Sequence, residues 1–299
     1  MNILLTGATG FIGSKLCRVL AADKHNRIFS LERTEHPQTN GVITIPQDLS
    51  EPIDQSRLPD KIDAVVHLAL ARDFRRFPEG TPGLFNVNVR TTYELLEYAR
   101  MAGASRFFMA STGNCYAPDP GLATGDVPVP PNDFYTASKL AAEALTRPYQ
   151  SCFNVNILRA FFPYGPNQDA KMIQRMIARI KANEPIALAQ GPDGDGDVLS
   201  LIHVDDLIQI IARSLLEGWR GLFDVAAPEV LSVRQIAMEI GRQLEIKPVF
   251  ADADIAAKKL TADLGPLIEK GGVHLRTFAE GLSDLISRQR VSGQGSKVP

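Results

Sequence analysis

Tyr135 and Lys139 stand four residues apart in Tyr-Thr-Ala-Ser-Lys, inside the helical pattern Phe134–Leu145. That spacing puts both side chains on one helix face. A free tyrosine ionises near pH ~10, too high for a base at neutral pH. A cation about 4 Å away, at an effective dielectric of about 20, favours the phenolate by roughly 4 kcal/mol. This is worth roughly 3 pKa units and predicts a Tyr135 that exchanges protons with an alcohol near pH ~7. Tyr-x-x-x-Lys by itself is a common spacing, so its meaning depends on what accompanies it.

What accompanies it is the N-terminal run Asn2–Gly13, NILLTGATGFIG. An apolar strand pattern leads into Gly7, Gly10 and Gly13, and a helical pattern follows. Gly7 allows a tight turn, Gly10 lets backbone approach a pyrophosphate, and Gly13 lets helix and sheet pack closely. The helix N-terminus then offers N–H groups and the positive end of its dipole to phosphates. Gly7, Thr9, Gly10, Phe11, Ile12 and Gly13 are therefore the candidate cradle of a dinucleotide, at the strand–helix junction where such a motif has meaning. The second strand ends at Leu31-Glu32-Arg33. Glu32 there accepts from ribose hydroxyls and favours NAD, whereas Arg33 pairs with a 2′-phosphate and favours NADP. NAD is the expected cofactor, with NADP the alternative.

The elements that must position these residues are legible as an alternation. Strand patterns fall at Asn2–Thr6, Arg27–Leu31, Val42–Ile45, Ala64–Leu68, Arg106–Ala110 and Val155–Arg159, with helical patterns at Phe11–Ala22, Thr91–Ala102 and Phe134–Leu145. Continuous apolar strands between helices predict a parallel sheet covered on both faces, the doubly wound Rossmann form of an α/β fold. Residues 118–131, rich in Pro, Gly and Asp, read as a loop. Beyond Gly165 further helices are predicted at Lys171–Asn183, Asp205–Leu216 and Val233–Leu244, with a Gly/Asp loop at 191–197. The expected division is an NAD(P)-binding domain over 1–165, with 198–230 packing back onto it, and a smaller C-terminal α/β substrate-binding domain over 166–299. The tail is expected to fray from about residue 291.

Composition narrows the function classes. A formal net charge of -2 over 299 residues gives no field for nucleic acid. Cys17, Cys115 and Cys152 are too few and too scattered for a disulfide framework or a zinc site. His67 and His203 lack ligand partners at metal-binding spacing. The Asp193, Asp195, Asp197 run departs from a calcium loop, having Val198 where Gly and Val204 where Glu is required. No metal is expected. Met1 opens directly into a strand pattern and no apolar stretch spans a membrane, so the expected location is the cytoplasm.

The glycine run GATGFIG, followed about 125 residues later by Tyr135 and Lys139, resembles the extended short-chain dehydrogenase/reductase family, including the NAD-dependent sugar-nucleotide epimerases and dehydratases. Further segments carry the likeness over residues 1 to about 245. Asp48-Leu49 is similar to the pair beside the adenine, and His67-Leu68-Ala69-Leu70-Ala71 to the segment under the cofactor. Asn88-Val-Arg-Thr-Thr resembles the family's Asn-Val-x-Gly-Thr helix, Arg159–Pro166 its Arg-x-Phe-Asn-x-Tyr-Gly-Pro segment, and Ile202–Leu207 its Ile-His-Val-Asp-Asp block.

The resemblance implies a hydride-transfer enzyme with a catalytic Thr112, Tyr135 and Lys139. Thr112 is reached by counting back four from Tyr116, with Ser111 as second choice. It also implies cofactor contacts from Asp48, Leu49, Leu68, Ala69, Ala71, Asn88, Tyr135, Lys139 and Phe162, a small-molecule substrate and a homodimer. Two departures bear on the substrate. Relatives hold a diphosphate with an Asn and an Arg at the positions of Phe162 and Leu199 here, and an apolar side chain offers no charge-assisted bond. The 4,6-dehydratases carry Asp-Glu after the catalytic Thr, where this chain has Gly113 and Asn114, so dehydration is not expected. The implied activity is a sugar or nucleotide-sugar epimerase or ketoreductase. The alternatives are a dehydrogenase or reductase of a non-nucleotide alcohol or ketone, and a non-catalytic dinucleotide sensor.

Overall fold

Ile3, Leu4 and Leu5 of the first strand have no exposed surface, and neither do Val65 and Val66 of its neighbour. Each such side chain taken from water contributes about 1.5–3 kcal/mol, which holds a strand apolar on both faces at the centre of a sheet. In the computed structural model the first four strands are β1 (Asn2–Thr6), β2 (Arg27–Glu32), β3 (Val42–Pro46) and β4 (Ala64–His67), followed by β5 (Arg106–Thr112) and β6 (Asn154–Ala160). With Gly221–Val225 they form one seven-stranded sheet in the order Gly221–Val225, β6, β5, β4, β1, β2, β3. Pairing is parallel from β5 through β4, β1 and β2 to β3. The order reverses between β1 and β4, the place where doubly wound sheets open a crevice at their strand C-termini. The fold is thus the expected Rossmann-type α/β. The structure describes residues 1–34, 41–71, 76–116, 133–168, 171–191, 193–272 and 274–294, with side chains to 288. The expected loop at 118–131 lies outside them.

Two compact units emerge. The first comprises the described residues of Met1–Cys115, Val129–Arg159 and Ile208–Phe223, and the second those of Tyr116–Pro128, Ala160–Leu207 and Asp224–Pro299. The division runs at Arg159/Ala160 rather than at Gly165, and the first unit takes in Ile208–Phe223 rather than all of 198–230. In the first unit α1 (Phe11–Ala21) buries Leu16 and Leu20. Leu95, Leu96 and Ala99 are fully buried in its core. The helix that carries them, Thr91–Met101, starts where the sequence pattern indicated, and further helical structure precedes it. A turn at Thr81–Leu84 and a π-helical stretch at Phe85–Arg90 lead into it.

The second unit is built mainly from the helices Met172–Lys181, Val233–Leu244 and Phe278–Gln294 around Ile173, Ile177, Ile180, Ile236, Ile240 and Leu282. The basic side chains of Met172–Lys181 lie opposite that buried face; Arg175 and Arg179 are exposed. The last helix is described as far as Gln294. No helix among the described residues is long and apolar enough to cross a membrane.

Candidate functional site

The glycine cradle sits at the end of β1, beside the reversal of strand order. Gly7 adopts φ +77, in the left-handed region that disfavours a side chain, and a Cβ there would lie 2.8 Å from the Ala69 backbone nitrogen. A Cβ on Gly13 would lie 2.0 Å from the Gly7 carbonyl oxygen. The turn closes through Gly10 N–H donating to Gly7 O at 3.0 Å. Helix α1 begins at Phe11 with Gly10 as N-cap, extended and without a side-chain cap. The cap therefore supplies no side-chain acceptor to the first N–H groups of the helix, the groups by which a helix N-terminus receives an anion. The cradle fits a dinucleotide pyrophosphate. At the end of β2, Glu32 accepts from Ser30 Oγ at 2.7 Å. Asp48 accepts from the N–H and hydroxyl of Ser50, and the backbone bond leads in holding its carboxyl below the usual range.

The ends of β1 and β4 are tied through buried polar groups. Thr6 Oγ1 lies 2.7 Å from His67 Nδ1 and accepts from the Ala69 N–H at 3.2 Å. This fixes the Leu68–Ala71 segment next to the cradle. Burial and the nearby Lys139 ammonium push the His67 imidazole down to about 3. His67 is thus neutral in the fold and gains a proton only on unfolding. Its unfolded pKa of about 6.5 exceeds the folded value, so stability is expected to fall as pH drops from about 6.5 towards 3. Urea unfolding across that range should show the loss in the wild type and less of it in His67→Gln. An equal slope in both would remove His67 as the cause. On the adjoining π-helical stretch, buried Asn88 donates through Nδ2 to Ser138 Oγ at 2.8 Å. Asn88 thereby braces the helix Phe134–Thr146, in a segment type that concentrates at functional sites.

That helix starts on Asp133, whose carboxylate accepts from the Thr136 N–H at 2.8 Å. It presents Tyr135, Lys139 and Glu143 at successive i,i+4 positions towards the end of β5. Tyr135 is hydrogen-bonded to Thr112. Lys139 Nζ donates to the Ala110 carbonyl at 3.0 Å. Ser111 Oγ donates to Glu143 Oε1 at 2.5 Å. Of the two hydroxyls weighed from sequence, Thr112 faces Tyr135 and Ser111 faces Glu143. Arg159 of β6 completes the group with a bidentate pair to Glu143 at 2.9 and 2.7 Å, both side chains buried.

The electrostatics depart from expectation. Burial raises Tyr135 to about 12, against a smaller lowering from Thr112, and burial lowers Lys139 to about 8. The protein's own groups do not bring Tyr135 near neutrality. Lys139 spends its nearest bond on a carbonyl and is itself desolvated. Cys115, buried behind Ser111, is pushed up to about 11, chiefly by burial. Glu143 and its partnership with Arg159 went unnoticed in the sequence. The available signal was Glu143 standing one further helix turn beyond Lys139, on the same face.

In the second unit Phe162 has a left-handed φ of 37 and packs between two apolar clusters. Leu199 is buried in the strand Val198–Ser200. His203 is buried, stacked edge-on to Tyr164, with Nε2 3.4 Å from Asp284. With Asp205 and Asp284 it forms a group whose ligand atoms lie within 4.8 Å of one another. Arg288 donates to both carboxylates, so a cation already occupies their charge. Asp195 pairs with Arg234 and Asp197 accepts from the Lys258 N–H, so these acids brace their loop.

Comparison with known proteins matches these features to a family. The chain is 29% identical over 266 residues to a dTDP-4-dehydro-6-deoxy-D-allose reductase of Streptomyces sp, covering 79% of each. It is 28% identical over 232 residues to a UDP-glucose 4-epimerase of Mycolicibacterium smegmatis, covering 72% of this chain and 73% of that one. Relatives of similar identity include dTDP-glucose 4,6-dehydratases, so kinship alone does not separate dehydration from reduction or epimerisation. Among solved structures, MoeE5 in complex with UDP-glucose and NAD superposes with a TM-score of 0.81 at 27% identity, over 98% of this chain and 99% of that one. The family model described as NAD dependent epimerase/dehydratase matches residues 3–222, and the chain belongs to that family.

Proposed function

We propose that this protein is an NAD-dependent epimerase or ketoreductase of a sugar or nucleotide sugar. The observation that carries the reading is Tyr135 hydrogen-bonded to Thr112, with Lys139 one turn away, in the same unit as the Gly7–Gly13 cradle. Gly7, Thr9, Gly10, Phe11, Ile12 and Gly13 receive the pyrophosphate, and Glu32 receives the adenosine ribose, which favours NAD over NADP. Asp48 and Leu49 flank the adenine, while Leu68, Ala69 and Ala71 line the cofactor's path and Asn88 braces the tyrosine helix. Bound NAD supplies a hydride acceptor and, when oxidised, a positive charge near the phenol. Thr112 orients the reacting oxygen, Tyr135 takes or returns its proton, and Lys139 holds the nicotinamide ribose and steadies the phenolate.

A 4,6-dehydration does not belong to this reading. Gly113 and Asn114 follow Thr112, and the carboxylate of Glu143 is committed to Arg159 and Ser111. A second reading, a non-nucleotide alcohol or ketone as substrate, is favoured by Phe162 and Leu199, which offer no charge to a diphosphate. We further read the protein as a cytoplasmic homodimer. Half-exposed Phe85 and Tyr93 on one helical segment and Leu145 on the tyrosine helix supply the apolar contact. Sedimentation should give twice the chain mass, and a monomer at micromolar concentration ends that part.

Denaturing the purified protein and identifying any released nucleotide by mass and absorbance tests the cofactor. NAD near one per chain supports an epimerase that regenerates its own cofactor. A chain that arrives empty but binds added NADH is an exchanging reductase. One that binds neither NAD nor NADP is not the enzyme proposed.

A further inference from the structure

Three consecutive residues at the end of β5 are each held by one of three residues on the tyrosine helix. Thr112 bonds to Tyr135, Ala110 O accepts from Lys139, and Ser111 donates to Glu143. The first two contacts involve the proposed catalytic residues; the third does not, yet it is the most heavily braced. Glu143 is 1% exposed and receives two further bonds from Arg159, itself 4% exposed. A buried ion pair of this kind is costly to desolvate and is weak as a stabilising device, so its placement beside the catalytic row calls for another account.

We infer that Glu143, locked by Arg159, is a positioning residue for the reaction: it keeps the buried Lys139 protonated and sets the β5 end against the tyrosine helix. The inference rests on the proposed catalytic role of Lys139. Burial lowers Lys139 to about 8, while Cys115 and Glu143 act to raise it. Cys115, at about 11, is a neutral thiol where Lys139 titrates. That leaves Glu143 as the negative charge that holds the proton. Among the described residues, Tyr135 stands one turn before Lys139 on its own helix and His67 on β4 interacts with its charge; both are neutral at pH 7. Arg159 is the cation bonded to Glu143 from β6, and its charge also acts on Cys115.

The test follows Lys139 directly. Full-length protein labelled with ¹³C at the lysine Cε is titrated by proton–carbon correlation NMR, and Lys139→Arg identifies the resonance. Glu143→Gln alone strands a buried guanidinium, so both charges are removed together in Glu143→Gln/Arg159→Gln. The Lys139 midpoint is expected at least half a pH unit below wild type in that variant, and unchanged in Ser111→Ala, which cuts the β5 contact without touching charge. Should the double variant not fold, Glu143→Asp, which keeps the charge but withdraws it by one methylene, is expected to lower the midpoint by a smaller amount. A midpoint that stays at the wild-type value in the charge variants overturns the inference. Equilibrium dialysis of the same wild-type protein with NAD⁺ separates the two readings. Absent binding defeats the cofactor reading, while the Lys139 titration still judges Glu143.

Discussion

Replacing Tyr135 by Phe is expected to lower turnover by about 10²–10⁴-fold, the usual worth of a positioned acid–base group. NAD binding is expected to stay within about threefold of wild type, because the cradle at Gly7–Gly13 and the ribose contact of Lys139 are untouched. The variant removes one hydroxyl and keeps the ring that packs against the core of the first unit, so folding should be preserved. Once the substrate is identified, the measurement is kcat and KM alongside NAD affinity. A fall in kcat with little change in KM marks a group used in the transition state. Retained turnover would transfer the proton to Thr112 or solvent, and a cellular function that survives Tyr135→Phe would bring the dinucleotide-sensor reading forward. Because the protein's own groups leave Tyr135 near 12, the wild-type pH profile of the loaded enzyme is equally informative. A limb well below that value would show how much of the lowering the bound cofactor contributes.

The second large effect concerns stability. Arg159→Met is expected to cost about 3–5 kcal/mol, because it leaves the Glu143 carboxylate buried without its cation. The pair is nearly inaccessible on both sides, with side-chain exposures of 5% and 2%. Ser111 alone cannot replace a bidentate guanidinium, and Arg147 approaches the same carboxylate only at 3.8 Å from a half-exposed position. Glu143→Met/Arg159→Met should recover most of the loss, since well-packed apolar substitutes are often neutral where a broken pair is not. Urea unfolding of the two variants decides it. If the single variant loses less than about 1 kcal/mol, a value typical of exposed pairs, water or another group reaches Glu143.

Elements with strong local signals were legible in the residues themselves. The parallel sheet followed from short apolar strands separated by helical patterns, because a strand buried on both faces must be apolar throughout. The cradle followed from three glycines whose spacing serves a turn, a backbone approach and a close helix. Helix Val233–Leu244 was read to the residue from its apolar periodicity, and the structure closes its start with a Ser232 capping box. The pairing of Tyr135 with Lys139 came from helical periodicity, which needs nothing beyond the chain's own geometry.

Other features depended on residues far apart in sequence and were settled by tertiary structure. The π-helical stretch around Asn88 was hidden because one extra residue per turn leaves no mark in an apolar pattern. Which partner each hydroxyl takes, Tyr135 for Thr112 and Glu143 for Ser111, depended on how the end of β5 packs along the tyrosine helix, because both hydroxyls meet that helix. The charge on Tyr135 could not be reasoned from Lys139 alone, because desolvation by the whole fold outweighs one neighbouring cation. Glu143 and Arg159 are 16 residues apart and meet only once the helix is laid across β5 and β6. Local order was therefore written in spacing and residue type. The solvation and pairing of the buried charges were decided only when distant segments closed over them.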